Sequence, residues 1–382
     1  MNGADRQVVP PEERYADELA FLAAWDQGGR PAGWRLTPKA VVTFVMGSGE
    51  DHLRLDAKAA GDLPKSLRIG AKYIGDRSLV ERCVVTLAGD RGLLLVGEPG
   101  TAKSMLSELL GAAISGTSTL TVQGTAGTTE EQLRYGWNYA LLLARGPSPE
   151  ALVPSPVLQA MRAGLVVRVE EVTRCLPEVQ DALVSILSER RLAIPELAGE
   201  EAGTEFGRPG FNVVATANLR DRGVSEMSAA LKRRFNFELV EPIAERAAEV
   251  ALVQREARAR IETSGVKYQV DEAVLDVLVT AFRDLRSGRS DEGWSIERPS
   301  TVMSTAEAVG VATALGIHAA YLGASRDPLS LLPGHLLGVV RKDDPLDQGR
   351  LLGYWDAAVK RRSEAGARLW RQLWELRSVI EG

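Results

Sequence analysis

Cysteine occurs only twice in the 382-residue chain, at Cys83 and Cys175, far apart and without metal-ligand spacing around either. No disulfide framework or thiolate zinc site can be built from that pair, and both thiols read as small buried hydrophobes in a reducing compartment. The three histidines, His52, His318 and His335, stand isolated, so no imidazole cluster offers a metal site. Long apolar runs are missing too. Nothing approaches the roughly 18 consecutive apolar residues of a membrane span, and Met1 to Glu13 is polar and proline-containing, without the apolar core of a signal peptide. A cytoplasmic protein with no membrane attachment is expected. Positive charge is not in excess: the net charge of −5 argues against a dedicated nucleic-acid binder, which carries a basic face. Aromatic residues make up only 5%, and no basic-aromatic platform for single strands is visible. Internal repeats and low-complexity tracts are also absent.

What remains is an ordinary globular composition, 45% hydrophobic and 25% charged, with room for roughly two or three domains. Residues 1 to 13 look unstructured. Tyr15 to Trp25 reads as a short helix ended by Gln27-Gly28-Gly29, and Thr37-Pro38 caps a second that runs to Met46. This N-terminal extension, 1–65, carries no nameable chemistry. From Ser66 strands and helices alternate: a helix at Leu79 to Leu87, then apolar runs at Leu93 to Val96, Leu120 to Val122, Leu165 to Val169, Phe211 to Ala217 and Phe235 to Val240. A helix at Pro177 to Glu189 lies among them. That alternation predicts an α/β domain over 66–241, with a mostly parallel sheet covered on both faces and ligand at the carboxyl ends of the strands. Beyond Pro242 the chain turns helical. A lid-sized all-α domain is expected over 242–325, with a third helix opening at Arg298-Pro299-Ser300-Thr301, and a helical extension over 326–382. The arginines of that extension read as the solvated face of a packed helix.

The chemistry starts at Gly97-Glu98-Pro99-Gly100-Thr101-Ala102-Lys103-Ser104, between a strand and a helical run that begins at Met105. Strand, glycine-rich loop, Lys-Ser and helix make a P-loop. Its backbone amides and the helix N-terminus favour phosphate, Lys103 would reach the β- and γ-phosphates, and the Ser104 hydroxyl would ligate Mg²⁺. A plain Gly/Pro turn is the ordinary alternative. Ala102 stands where glycine is usual, a poor residue if φ must be positive. Glu170 and Glu171 end a hydrophobic strand, as an acidic pair for metal and lytic water does; taken alone they are equally a charged strand end. Asn218 closes a buried strand and could position water or touch a γ-phosphate, although alone it is more often a turn residue. Arg233 and Arg234 sit at a helix-to-strand junction. In a ring such an arginine would enter the neighbour's site, where a finger is worth ~10³–10⁵ in rate; the bland alternative is a basic helix end favoured by the dipole.

Together these residues resemble an AAA+ ATPase of the MoxR family, related to the CbbQ, NorQ and GvpN type of activator. The matching text is Tyr73 to Leu87, the P-loop, Glu170-Glu171-Val172-Thr173-Arg174, Gln180-Asp181-Ala182-Leu183, Ala215-Thr216-Ala217-Asn218 and Ala230-Leu231-Lys232-Arg233-Arg234-Phe235. It covers about residues 66–320, and its Ala-Lys-Ser loop ending is itself typical of the family. The resemblance implies a P-loop NTPase fold with an all-α lid, ATP and Mg²⁺ as ligands, and ATP hydrolysis. Nucleotide would be bound by Gly97, Glu98, Pro99, Gly100, Thr101, Ala102, Lys103, Ser104 and Met105, with Ile74 and Gly75 against adenine. Ser104 and Glu170 would serve the metal, Glu171 would be the catalytic base, Asn218 the first sensor, Arg234 or Arg233 the finger and Arg298 the second sensor. Gly124 to Trp137 and Arg190 to Gly210 sit where the family carries an insertion and a hairpin that face a ring pore. It further implies a homo-oligomer, a hexameric ring, that remodels or activates a client or adaptor protein, in some members one with a von Willebrand factor A domain. Two departures stand out. Glu170 replaces the usual Asp, adding about 1.5 Å of reach against an Mg²⁺ shell at about 2.0–2.1 Å. Arg168 falls on the same side of the strand as Glu170, inside an apolar run, where a pair with Glu170 or another buried carboxylate is expected, because unpaired it would be costly. Both bear on hydrolysis more than on binding, so a slow nucleotide-dependent switch is the second reading and a nucleic-acid-linked NTPase the third.

Overall fold

A computed structural model describes residues 6–56, 61–197, 203–218, 224–323, 327–342 and 344–381. The chain forms two units, one of Met1–Gly97 with Ala102–Val240 and one of Glu98–Thr101 with Glu241–Gly382.

The first unit opens with helices α1 (Pro11–Arg14), α2 (Ala16–Trp25) and α3 (Pro38–Met46), α3 being capped by the Thr37 side chain with Pro38 in its first turn. Residues 6–13, expected to lack structure, thus include a helical turn, and Glu12 fastens it to Ser118 by accepting from its N–H (3.0 Å) and hydroxyl (2.8 Å). Residues 1–5 lie outside the described residues. A small antiparallel pair, β1 (Leu53–Arg54) and β2 (Ser66–Leu67), leads to α4 (Arg77–Ala88), β3 (Gly92–Val96) and α5 (Lys103–Ser115). After β4 (Thr121–Gln123) and α6 (Glu130–Leu133), strands β5 (Tyr135–Trp137) and β6 (Leu152–Pro154) form a hairpin with α7 (Tyr139–Arg145) between them. Then follow α8 (Pro156–Ala163), β7 (Val166–Glu170), α9 (Pro177–Glu189) and a second hairpin, β8 (Arg191–Ala193) with β9 (Thr204–Phe206). Strand β10 (Asn212–Ala217), the turn-long α10 (Ala229–Lys232) and β11 (Phe235–Leu239) complete the unit.

Five strands pair in the order β11-β3-β10-β7-β4, every pair parallel. Strand alternation divides the core. Leu94 and Val96 of β3, with Val167 and Val169 of β7, pack on one face with α8 and α9 residues; Leu93, Leu95 and Val166 pack on the other with α4 and α5 residues. The N-terminal helices join that second face through Phe21, Leu22, Val41, Phe44 and Val45, so residues 1–65 share the core of the sheet.

The second unit is helical: α11 (Arg246–Thr263), α12 (Glu272–Ser287), α13 (Thr305–Leu322), α14 (Pro328–Val340), α15 (Asp347–Tyr354), a π-helical turn at Trp355–Val359, α16 (Lys360–Glu364), α17 (Arg368–Glu375) and α18 (Ser378–Glu381). One hydrophobic core runs through it from Val250 to Ile380. At its centre Glu249, fully buried, takes Arg283 (2.9 Å), Arg286 (3.0 Å) and the Thr305 hydroxyl (2.6 Å). Two expectations are corrected. Helix α13 opens at Thr305, capped by Ser304, because the Ser304 side chain satisfies the Glu307 N–H; Arg298 therefore precedes the helix instead of opening it. Arg362 is buried, not solvated, and pairs with Asp284 (2.6 Å) and Glu292 (2.7 Å). A parallel sheet with helices on both faces, followed by an all-α unit, is the P-loop NTPase fold with its lid.

Candidate active site

Register places the acidic pair against β10, the strand that Asn218 follows. Ala215 pairs with Val169, so Glu170 lies level with Thr216; Ala217 pairs with Val96, so Asn218 lies level with Gly97. Alternation on β7 turns Val166, Arg168 and Glu170 toward α5, where Ser104 and Ser107 share one face.

These groups close a network around Glu170, whose side chain is 6% exposed. The Ser104 hydroxyl donates to Oε2 at 2.6 Å and the Thr216 hydroxyl to the same oxygen at 2.7 Å. Ser107 Oγ lies 2.7 Å from Oε1, and Arg168 Nη2 donates to Oε1 at 2.7 Å. Burial pushes the Glu170 carboxyl up, but the Ser104 and Ser107 hydroxyls, the Arg168 charge and Thr216 outweigh it and hold it below the usual carboxylate range. Arg168 is buried and satisfied: it also donates to Ser107 Oγ (2.9 Å) and the Ser118 carbonyl (2.9 Å), and lies 3.3 Å from Glu108. The pair with Glu170 expected from their shared strand face is present, so the two departures are partners.

Thr216 Oγ1 also accepts the Glu171 N–H at 2.9 Å, so one hydroxyl joins both carboxylate residues. Glu171 adopts a left-handed conformation (φ 54°, ψ 44°) that turns the chain into a short 3₁₀ turn, Val172–Arg174. Its carboxylate is 30% exposed and lies 3.4 Å from Arg174 Nε. Gly124 donates its N–H to the Glu170 carbonyl at 2.7 Å; a Cβ there would lie 2.3 Å from the Glu171 carbonyl oxygen, so the site requires glycine.

In the P-loop Ala102 is left-handed (φ 69°, ψ 22°), as the motif demands, and Lys103 begins α5. A left-handed residue followed by right-handed helix forms the amide concavity that suits anions. Ala102 accepts a strain of about 1–2 kcal/mol that glycine would not. Gly100 is also at positive φ (74°), and the Thr101 hydroxyl donates to the Glu98 carbonyl at 2.9 Å. Lys103 is buried and donates to the Gly97 carbonyl at 3.0 Å. Pro99 and Ser104 are exposed, whereas Met105 packs toward the core. Asn218 is buried at the end of β10. Ile74 is half-buried and Gly75 exposed, just after buried Tyr73. Arg233 is exposed at the end of α10, while Arg234 is half-buried and bonds Ser188 Oγ and the Ala230 carbonyl. The structure thus joins Ser104, Glu170, Glu171 and Thr216 directly. Thr216 and Ser107 were not singled out in the sequence; only their shared strand and helix faces with known residues marked them.

Among the described residues no group of three or more His, Cys, Asp or Glu could hold a metal ion alone. The site fits Mg²⁺ only in company with phosphate and water. After donating to Glu170, the Ser104 oxygen keeps its lone pairs for a hard cation, and both Glu170 oxygens are already taken.

Residues 92–235 match the AAA domain of the dynein-related subfamily, and residues 247–381 match the YehL-like AAA+ ATPase C-terminal domain. The uncharacterized protein YehL of Escherichia coli (strain K12) is 47% identical over 359 residues, 94% of each chain. The chain belongs to the YehL-like AAA+ ATPases. The uncharacterized protein SH1500 of Staphylococcus haemolyticus is 31% identical over 146 residues, 38% of this YehL-like chain and 54% of that protein. Among solved structures, NtrX from Brucella abortus in complex with ADP aligns at 14% identity with a TM-score of 0.49, over 80% of this chain and 70% of that chain. No described helix of this YehL-like ATPase is long and apolar enough to cross a membrane.

Removing Arg168 tests the network. Arg168→Met leaves Glu170 as a buried carboxylate without its counter-charge, a change expected to cost about 3–5 kcal/mol in unfolding free energy. In the wild type Glu170 titrates below its unfolded value, so its contribution is present above that value and is lost as pH falls through the folded one. Without Arg168 the folded value rises, and the variant's deficit should narrow on acidification. A deficit in denaturant melts that is constant with pH would sink this account.

Proposed function

We propose that this AAA+ protein hydrolyses ATP in a MoxR-type ring, acting in the cytoplasm as a chaperone-like remodeller or activator of a partner protein. The observation that carries the reading is the hydrogen-bonded junction of P-loop, acidic strand end and sensor strand: Ser104 to Glu170, Glu170 to Thr216, Thr216 to the Glu171 amide. Lys103 and the loop amides bind phosphates, with Ile74 and Gly75 against the base. Ser104 would hold Mg²⁺, and Glu170 orients Ser104. Bound Mg²⁺ would neutralise phosphate charge. Glu171 accepts the proton of the attacking water, and Asn218 orients that water. Arg233 is assigned as the finger because its side chain is exposed while Arg234 is held by Ser188 and Ala230. Arg298, on the segment before α13, stays the candidate second sensor. Gly124 to Trp137, which runs into β5, and Arg190 to Gly210, which carries the β8–β9 hairpin, are assigned to a hexamer's pore; Arg134 joins them at the Ala193 carbonyl (2.9 Å) and Tyr135 at Glu196 (2.8 Å). A client or adaptor with a von Willebrand factor A domain suits this type of ATPase.

One observation favours a second reading, a slow nucleotide switch: Arg168 neutralises the acidic residue nearest the metal position. Steady-state ATP hydrolysis with Mg²⁺, run across protein concentration with mass measured alongside, separates the two. Turnover that climbs as assemblies form supports the ring. Nucleotide binding with no turnover at any concentration leaves the switch.

A further inference from the structure

We propose that the N-terminal helices belong to the nucleotide site: they clamp Lys72, and through it fix the segment that borders the base, making Lys72 a positioning residue for adenine. This rests on the reading above that Ile74 and Gly75 lie against the base.

The clamp is a charge buried between two rings. The Lys72 side chain is 4% exposed. Its Nζ lies 2.5 Å from Glu18 Oε2 on α2 and donates to the Gly70 carbonyl at 3.1 Å. It stands 4.6 Å from the centre of the Tyr15 ring and 4.4 Å from that of Phe44 on α3, and the two rings meet edge to face at 5.8 Å. An ammonium group so placed gains from each ring face and from the carboxylate together.

The main chain is held as tightly. The Val45 carbonyl, near the end of α3, accepts both the Lys72 N–H (3.0 Å) and the Tyr73 N–H (3.1 Å). Ser48 donates its N–H to the Ile69 carbonyl (2.9 Å) and accepts the Ile69 N–H on its hydroxyl (3.1 Å). Gly47, at φ 77°, lies so close that a Cβ would sit 2.7 Å from the Ala71 nitrogen. Tyr73 is buried next, and Gly75 rests on its ring, where a Cβ would be 2.5 Å away. Ile69, Lys72 and Tyr73, which lead to Ile74, are therefore referenced to α2, α3 and the 47–48 segment that follows α3. Apolar contacts alone would attach these helices to the sheet. A desolvated ion pair adds little net stability, and its directional bonds set register. The register it sets here is that of residues 69–75.

The test compares a ligand that has a base with one that lacks it. Binding of ADP and of inorganic pyrophosphate, each with Mg²⁺, is measured for the wild type, Lys72→Met and Glu18→Gln, together with unfolding midpoints. Lys72→Met should weaken ADP by roughly tenfold or more and leave pyrophosphate within about twofold, since only the base loses its reference. Glu18→Gln should act in the same direction, less strongly. Equal losses for both ligands, or no loss in a folded variant, overturn the proposal. If Lys72→Met does not fold, the Glu18→Gln comparison decides on the same criterion. A wild type that binds pyrophosphate as tightly as ADP refutes the base-site reading itself, and the proposal with it.

Discussion

Arg233→Ala is expected to lower ATP turnover by ~10³–10⁵ while leaving nucleotide affinity nearly intact. The size follows from where charge develops. In phosphoryl transfer it spreads over the phosphoryl oxygens, and a guanidinium delivered from a neighbouring subunit meets it in a water-poor site. The choice of Arg233 follows from packing. Its side chain leaves the end of α10 into solvent, whereas Arg234 turns back onto Ser188 and the Ala230 carbonyl. Arg234→Ala should therefore act on stability first. Mixing gives the sharper check: Arg233→Ala subunits combined with Glu171→Gln subunits should regain part of the activity, because some interfaces then hold one intact base and one intact finger. If Arg234→Ala abolishes turnover and Arg233→Ala does not, the assignment passes to Arg234. Failure of the mixture to recover would remove the trans role.

Local chemistry was legible and long-range pairing was not. The P-loop, the acidic strand end and the strand ending at Asn218 could be read because each is a short pattern, and the strands because fully buried β3, β7 and β10 are mostly apolar or β-branched. The helix Pro177–Glu189 announces its start with a proline in its first turn. What failed were choices between competing local signals, and partners far apart in sequence. Pro299 suggested a helix start, yet Ser304 with Glu307 three residues on was the stronger signal for the N-terminus of α13. The Arg168–Glu170 pair was legible from their shared strand face, whereas Ser107 and Ser118, which also hold Arg168, come from α5 and the loop after it. Arg362 looked like one of several surface arginines; Asp284 and Glu292, 78 and 70 residues earlier, pair with it where it is buried. The N-terminal extension carried no motif at all, since its work is done by Glu18, Phe44 and Val45 on a residue beyond its own end.

Glu171→Gln is expected to reduce the turnover number by ~10²–10⁴ with ADP affinity unchanged, the effect of losing a positioned general base. The substitution keeps length and shape, so the left-handed turn and the Thr216 hydroxyl on the residue 171 amide survive. That turn is what the flanking residues are arranged to hold. An L-residue at φ 54° costs about 1–2 kcal/mol, and the neighbouring Gly124 leaves no room for the turn to relax. At that turn the Glu171 carboxylate lies partly open to water, whereas that of Glu170 is enclosed. Two adjacent acids thereby receive different work. Glu170, occupied on both oxygens, should act through Ser104, and Glu170→Gln should chiefly raise the Mg²⁺ concentration needed for half-maximal rate. Glu171→Gln should show the opposite split, a lower rate at every Mg²⁺ concentration with the same half-saturation. If the two variants shift rate and metal dependence alike, the division of labour between the carboxylates is wrong, and with it the role given to Arg168.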